Sequence, residues 1–415
     1  MEYIINGGNR LSGEIAVYGA KNCALPLLGA SVLVDDEIVL HNCPYIVDVV
    51  NMISLLKAMG KTVIWNGDTV IVSGRLNTLH APKEYAALLR GSALILGSVI
   101  ARYNEIELPL PGGCAIGSRP IDIHLAGLQA LGVDVRCLED CVICRGKPHG
   151  ARYHMRFASV GATENLLCAS VLAQGETVLT NVATEPEVVA LEQMLVDMGA
   201  NIDGVGGTEL TIRGTDKLHG TEFTVIPDRI VTATYLSAVV AATGSVTVTN
   251  CRPEHLRSFI NKLETRFALK EYTDAVTLTV EKQPTDYGRI TTAPYPFFPT
   301  DMQSLMMSLG AFADGGKTAI YENLFENRLS ANASELNKMG ADIVVKDNKA
   351  VIVGRKLRGD TAVFARDLRG GAGLVIAGLN AQGRTVVCGV EHINRGYYNL
   401  SESLAALGAD IKEAT

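Results

Sequence analysis

LLKAMGKTVIW, Leu55 to Trp65, runs an apolar helical segment into Met-Gly and then into strand-like alternation. The same construction returns as LQALGVDVRC (128–137), MLVDMGANID (194–203), LNKMGADIVV (336–345) and LAALGADIKE (404–413). The glycines Gly60, Gly132, Gly199, Gly340 and Gly408 are separated by 72, 67, 141 and 68 residues. The 141-residue step holds one more copy, FINKLETRFALKEY (259–272), with Phe267 and Ala268 where the terminating glycine belongs. Glycine suits that place because a left-handed helix cap costs it no Cβ strain. The spacing predicts six copies of one unit.

Working outward, each copy holds a strand that enters a loop: IVLHNCP, IELPLPGGC, TVLTNVATEP, VTVTNCRPEH, TAIYENLFENR and TVVCGVEHINR. Ahead of each strand stands an apolar helix rich in Ala, Gly and Ser. Lys21 to Arg90, Arg90 to Ser159 and Ser159 to Asp228 are each 69 residues, so the helix starts keep step. The period exceeds that of common solenoid repeats, which makes each copy a small α/β subdomain rather than one turn of an array.

These helices are apolar nearly all round, the pattern of buried helices. Their first residues are nevertheless polar: Lys21 and Asn22, Arg90, Ser159, Asp228 and Arg229, Asp301, and Asp367 with Arg369. Ser, Asp and Asn there are ordinary caps. Recurrent Lys and Arg are not, and several helix N-termini aimed at one cleft would make an anion site.

The 415 residues are 47% hydrophobic and 20% charged, enough to bury large cores in two or three domains. A net charge of -7 excludes broad contact with a nucleic-acid backbone. MEYIINGGNR has no basic segment leading into an apolar one, and no apolar run approaches the roughly 20 residues that span a bilayer. A cytoplasmic protein without membrane insertion is expected, and its nine cysteines read as reduced thiols. Cys137, Cys141 and Cys144 fall where other copies place a hairpin, with no fourth ligand at zinc-finger spacing, so no metal is expected.

PGGCAIGSRPID (111–122) sets one thiol, Cys114, among Gly112, Gly113 and Gly117, five residues before Arg119. A glycine-rich polar loop is a poor place for a packing cysteine. It suits a reactive thiol that arrives and leaves with loop motion, its pKa lowered by the arginine.

Taken in order, GAKNCALPLL, PGGCAIGSRPIDIH, SVGATEN, EPE, PTDMQ, FENR, DLR and HINRGY resemble the motifs of the UDP-N-acetylglucosamine enolpyruvyl transferase family. The resemblance covers nearly the whole chain. It implies a two-domain inside-out α/β barrel of six repeats: residues 21–227 as an N-terminal domain carrying the Cys114 loop, and 1–20 with 228–415 as the C-terminal domain. It also implies transfer of the enolpyruvyl group of phosphoenolpyruvate to the sugar 3′-hydroxyl by addition and elimination, the first committed step toward peptidoglycan, with no cofactor.

The resemblance assigns Lys21, Asn22, Arg119, Arg328, Arg369 and Arg395 to phosphoenolpyruvate, whose phosphate and carboxylate call for cations of fixed geometry. Cys114 becomes the general acid and the site of fosfomycin alkylation, Asp301 the candidate base, and Lys21 and Arg395 join them in catalysis. The UDP-sugar falls to Arg90, Arg119, Pro120, Ile121, Asp122, Ile123, Ser159, Val160, Gly161, Asp301 and Leu324, with Glu185 and Asp367 supporting.

Four positions depart from the family pattern: Val231 and Ala233 after PDRI, Phe297 for glycine in PYPFFPTD, and Asn394 for aspartate in HINRGY. ENRLSANASEL is also one residue longer. Phe297 matters most, since a bulky side chain near Asp301 would reshape the sugar pocket or require a backbone angle open only to glycine. The alternatives are the sister enzyme acting on shikimate phosphate, disfavoured by Cys114 and SVGATEN; a transferase with a changed acceptor; and a non-catalytic, ligand-sensing relative.

Overall fold

The computed structural model describes residues 1–88, 90–109 and 121–414, without the side chain of Arg90. The described residues form six small sheets, one per repeat: five of four strands and one of three. In the five, the central strand recognised in the sequence has two antiparallel strands on one side, a hairpin in all but the sixth copy, and a parallel edge strand on the other. The parallel strand is donated by another copy. Arg152–His154 leaves the second copy for Glu176–Thr180 of the third, and Thr221–Thr224 leaves the third for Ile38–His41 of the first. In the three-stranded sheet, a single parallel bridge from His80 to Glu107 stands in for that strand.

The sixth repeat is assembled from both ends of the chain. Glu2–Asn6 inserts between Arg384–Cys388 and Asp410–Ala414, antiparallel to each, and Leu11–Ala16 then runs parallel to Gly244–Thr249 of the fourth copy. The described residues divide into two compact units: those of Met1–Tyr18 with those from Pro227 onward, and those between Gly19 and Ile226. Each holds three repeats and its own hydrophobic core.

Six helices fill those cores: α1 (Lys21–Ala30), α2 (Ile95–Tyr103), α3 (Val160–Ser170), α4 (Arg229–Ala242), α5 (Gln303–Ala311) and α6 (Leu368–Asn380). Every residue of α4 is buried, as are all of α6 but Asn380. Helices so enclosed have no polar face to spare. Three hydroxyls of the core helices are satisfied on their own backbone instead: Ser170 on Leu166, Thr234 on Ile230 and Ser237 on Ala233. Small residues let the backbones close up: Ser308 Oγ of α5 donates to the Gly373 carbonyl of α6 at 2.7 Å.

The outer helices end as the sequence predicts. Gly60, Gly132, Gly199, Gly340 and Gly408 all carry positive φ, between 80° and 117°. In the fourth copy the helix Arg257–Glu264 ends at Thr265 without a left-handed residue, so Phe267 and Ala268 fit there.

A second periodic device was not read from the sequence. Asn42, Asn181, Asn250 and Asn323 each end a central strand, and each side-chain amide donates to a carbonyl on the neighbouring parallel segment: Val225, Met155, Val17 and Thr292. The first three have φ near +50°, where asparagine is among the few tolerated residues.

Candidate active site

In the unit containing α4 to α6, three of the sequence candidates meet. Asp301 lies in a 3-10 turn, Thr300–Met302, that leads into α5, and its side chain caps no helix. Its carboxylate faces two arginines: Arg328 Nη2 donates to Oδ1 at 3.0 Å, and Arg369 Nε to Oδ2 at 3.3 Å. Arg328 begins the helix Arg328–Lys338, and Arg369 lies in the first turn of α6. Both guanidinium groups are almost fully buried, while Asp301 keeps about a quarter of its side-chain surface, 27%.

Burial opposes the Arg369 charge, but Asp301, Tyr397 and Asp228 around it more than offset this and hold its pKa above the ordinary arginine value. Its guanidinium lies 5.7 Å from the centre of the Tyr397 ring. Arg369 Nη1 and Nη2 and Arg328 Nε find no hydrogen-bond acceptor among the described residues. Buried donors of that kind fit an anion with several oxygens.

Asp228 and Asp367 are genuine caps. Asp228 Oδ1 accepts from Ile230 and Val231 N–H at the start of α4, and Asp367 Oδ1 from Arg369 and Gly370 N–H at the start of α6. Asp367 thereby fixes the backbone of Arg369. Arg395 is half-buried in the turn after the short helix Val390–Ile393. Beside it Asn394 accepts a bond from the buried Tyr3 hydroxyl at 3.3 Å. Leu324 is half-buried, and its N–H donates to Glu322. Val231 and Ala233 are fully buried core residues. Phe297 has no positive φ, so it demands no backbone angle reserved for glycine, and its ring is 66% exposed.

In the other unit, Lys21 opens α1 and its ammonium pairs with Asp48 Oδ2 at 3.1 Å, with both groups largely buried. Asn22, next along α1, is half-buried. Arg90 starts a 3-10 turn, Arg90–Leu94, leading into α2. Ser159 caps α3, its hydroxyl accepting from Ala162 N–H, so Val160 and Gly161 form the first turn. Ile121 precedes the helix Asp122–Ala130, which contains Ile123. Asp122 forms an ion pair with Arg156. Glu185 immediately precedes the helix Pro186–Asp197. Cys114, Arg119 and Pro120, with Gly112, Gly113 and Gly117, lie outside the described residues.

Sequence reasoning missed several contributors here. His124 is half-buried, and loss of solvent around its ring pushes its pKa down to about 4, while Asn165 Nδ2 donates to its Nδ1 at 2.8 Å. That bond requires an unprotonated Nδ1. Glu164 of α3 is buried, and with Glu187 and Glu185 nearby its carboxyl is pushed well above the usual range. The repeat pattern marks both as core-facing, and nothing in their spacing marks them as polar partners.

The chain matches the family described as EPSP synthase (3-phosphoshikimate 1-carboxyvinyltransferase) over residues 5–404. It is 44% identical to UDP-N-acetylglucosamine 1-carboxyvinyltransferase 2 of Caldanaerobacter subterraneus, over 99% of both chains. The chain belongs to the enolpyruvyl transferase family. A UDP-N-acetylglucosamine 1-carboxyvinyltransferase of Cellvibrio japonicus is 42% identical, again over 99% of each. Among solved structures, the enolpyruvyl transferase NikO from Streptomyces tendae superposes with a TM-score of 0.89 at 26% identity, covering 99% of this chain and 98% of its own. EPSP synthase from Acinetobacter baumannii, at 17% identity and a TM-score of 0.74 over 99% of each chain, shares the fold.

The enolpyruvyl transferase fold thus accounts for the six repeats and the two units. Among the described residues no group of three or more His, Cys, Asp or Glu is placed to hold a metal ion. No helix among them is long and apolar enough to cross a membrane. The eight described cysteines form no disulfide, and Cys137 and Cys141 flank the tight end of a hairpin between Asp134–Cys137 and Cys141–Arg145.

Proposed function

We propose that this enolpyruvyl transferase moves the enolpyruvyl group of phosphoenolpyruvate onto the 3′-hydroxyl of UDP-N-acetylglucosamine and releases phosphate. The full-length similarity to two UDP-N-acetylglucosamine 1-carboxyvinyltransferases supports this reading. The observation that carries it is Asp301 held between the buried guanidiniums of Arg328 and Arg369, with Arg328 Nε and Arg369 Nη1 and Nη2 lacking hydrogen-bond acceptors among the described residues. Such a site offers an anion donors and an acceptor side by side.

In the addition step the sugar oxygen attacks C2 of phosphoenolpyruvate while C3 takes a proton. Cys114 supplies that proton. Asp301 takes the proton leaving the 3′-hydroxyl, using a lone pair not engaged by its arginines. Elimination then returns a C3 proton to the Cys114 thiolate and expels phosphate, leaving the enol ether. Lys21, Asn22, Arg119, Arg328, Arg369 and Arg395 hold phosphoenolpyruvate. Arg90, Arg119 to Ile123, Ser159 to Gly161 and Leu324 hold the nucleotide sugar, and Glu185 and Asp367 support the site.

Residues 21–227 and 1–20 with 228–415 are taken as the two domains. The reaction would place the protein in the cytoplasm, at the first committed step of peptidoglycan synthesis. Phosphate release from phosphoenolpyruvate, with and without UDP-N-acetylglucosamine, tests the assignment on wild type and Cys114→Ala. Release that needs the sugar and is lost or greatly slowed in the variant is expected. No sugar-dependent release from folded wild type would overturn it.

A further inference from the structure

Three central strands place His41, Thr180 and Thr249, all half-buried, immediately before the asparagine that ties the strand end. In the fifth copy the residue paired at that place is Tyr321, and Glu322, 3% exposed, stands between it and Asn323. A buried carboxylate is costly unless its oxygens are satisfied, and the first, third and fourth copies close their strand ends without one. At Glu322 three of the four side-chain bonds lead toward the site.

Glu322 Oε1 accepts from Leu324 N–H and Thr292 Oγ1, each at 2.9 Å, and from Phe325 N–H at 3.3 Å. Oε2 accepts from Thr300 Oγ1 at 2.9 Å. With its hydrogen committed to Glu322, the Thr300 hydroxyl presents a lone pair to Arg328 Nη1 at 2.7 Å, and Arg328 Nη2 reaches Asp301 at 3.0 Å. One carboxylate therefore fixes two things: the backbone at Leu324 and Phe325, and the rotor that aims Arg328 at Asp301.

We infer that Glu322 is a positioning residue for the transfer reaction, acting on Asp301 through Thr300 and Arg328, and on the nucleotide sugar through the Leu324–Phe325 backbone. The inference rests on the roles proposed above for Asp301 and Leu324. The two arms separate by mutation. Gln at 322 keeps an acceptor for the Leu324 and Phe325 N–H groups but turns an NH₂ toward Thr300, so it disturbs only the Thr300 arm. Thr300→Val cuts that same arm from the other side, and Thr300→Ser keeps it. Glu322→Ala removes both.

Steady-state kinetics on the full chain test this, with thermal unfolding as the control. Glu322→Gln and Thr300→Val should each lower kcat about tenfold or more, with KM for UDP-N-acetylglucosamine held within about twofold, since small displacements of catalytic groups cost rate before binding. The double variant should be no slower than either single variant, and Thr300→Ser should recover most of the loss. Glu322→Ala should add a rise in KM for the nucleotide sugar. Folded Glu322→Gln or Thr300→Val with wild-type kcat, or additive losses in the double variant, would reject the inference while wild-type turnover still supports the proposed function. Wild type without sugar-dependent turnover would remove the functional reading itself, and this inference with it.

Discussion

Gly97 of α2 and Asn165 of α3 are pressed together at the heart of their unit. The Gly97 N–H donates to Asn165 Oδ1 at 2.7 Å, and a Cβ on Gly97 would stand 2.0 Å from the Asn165 carbonyl oxygen. The obstacle is backbone, which cannot swing aside. Asn165 also holds the His124 ring, so this close approach and the first turn of α3 are one construction.

Gly97→Ala should therefore force α2 and α3 apart and destabilise the protein by about 3 kcal/mol. Chemical unfolding measures this directly. Because Ser159 caps α3, the variant should also weaken nucleotide-sugar binding, and unchanged stability would mean that the helices can separate without cost.

Asp301→Asn should reduce kcat by at least about a hundredfold, the range lost when a positioned proton acceptor is removed. It also leaves two buried guanidiniums facing a neutral amide. An oxyanion should then substitute for the missing charge, so inorganic phosphate should raise the unfolding temperature more in the variant than in wild type. Equal phosphate effects in the two proteins would argue that Asp301 does not balance these arginines.

How much of this was legible in the sequence depends on the range of the interaction. Gly60, Gly132, Gly199, Gly340 and Gly408 declare the repeat because a helix C-cap is a local demand on one residue. Asp228 and Asp367 read as caps for the same reason. The strand Glu2–Asn6 could not be assigned its partners from the local pattern, since it pairs with Arg384–Cys388 and Asp410–Ala414 at the far end of the chain. The family resemblance placed it in the second domain where periodicity was silent. Within the site, Asp301 was visible and Glu322 was not. Asp301 stands ahead of a helix and Glu322 ahead of a loop, and only the fold shows that Glu322 takes four hydrogen bonds from Thr292, Thr300, Leu324 and Phe325.

Phe297 sits in a loop closed by bonds from Phe297 N–H to the Pro294 carbonyl and from Ala293 N–H to the Phe298 carbonyl. Phe298 packs inward against Phe259, while Phe297 points outward. Phe297→Gly should cost no more than about 1 kcal/mol, since it loses little packing and adds only backbone freedom. Lying four residues before Asp301, it should alter KM for the acceptor and leave KM for phosphoenolpyruvate unchanged. A shift confined to phosphoenolpyruvate would place the Phe297 ring on the wrong side of the reaction.

Glu192, fully buried in the helix Pro186–Asp197, offers a test of pH dependence away from the chemistry. Burial raises its pKa from 4.5 to about 7, partly offset by the Gly206 N–H that donates to Oε2 at 2.7 Å. A carboxyl whose pKa is raised on folding binds its proton more tightly in the native state. Between pH 4.5 and about 7 the unfolded chain therefore holds fewer protons, and stability falls as pH rises through that window. At 1.36 kcal/mol per pKa unit the full loss is about 3 kcal/mol above the window. Glu192→Gln keeps an acceptor for Gly206 and cannot ionise. It should match wild type near pH 4.5 and become progressively more stable than wild type toward pH 8, with the difference in unfolding free energy opening mainly between those limits. A difference independent of pH would show that Glu192 keeps the same proton affinity folded and unfolded.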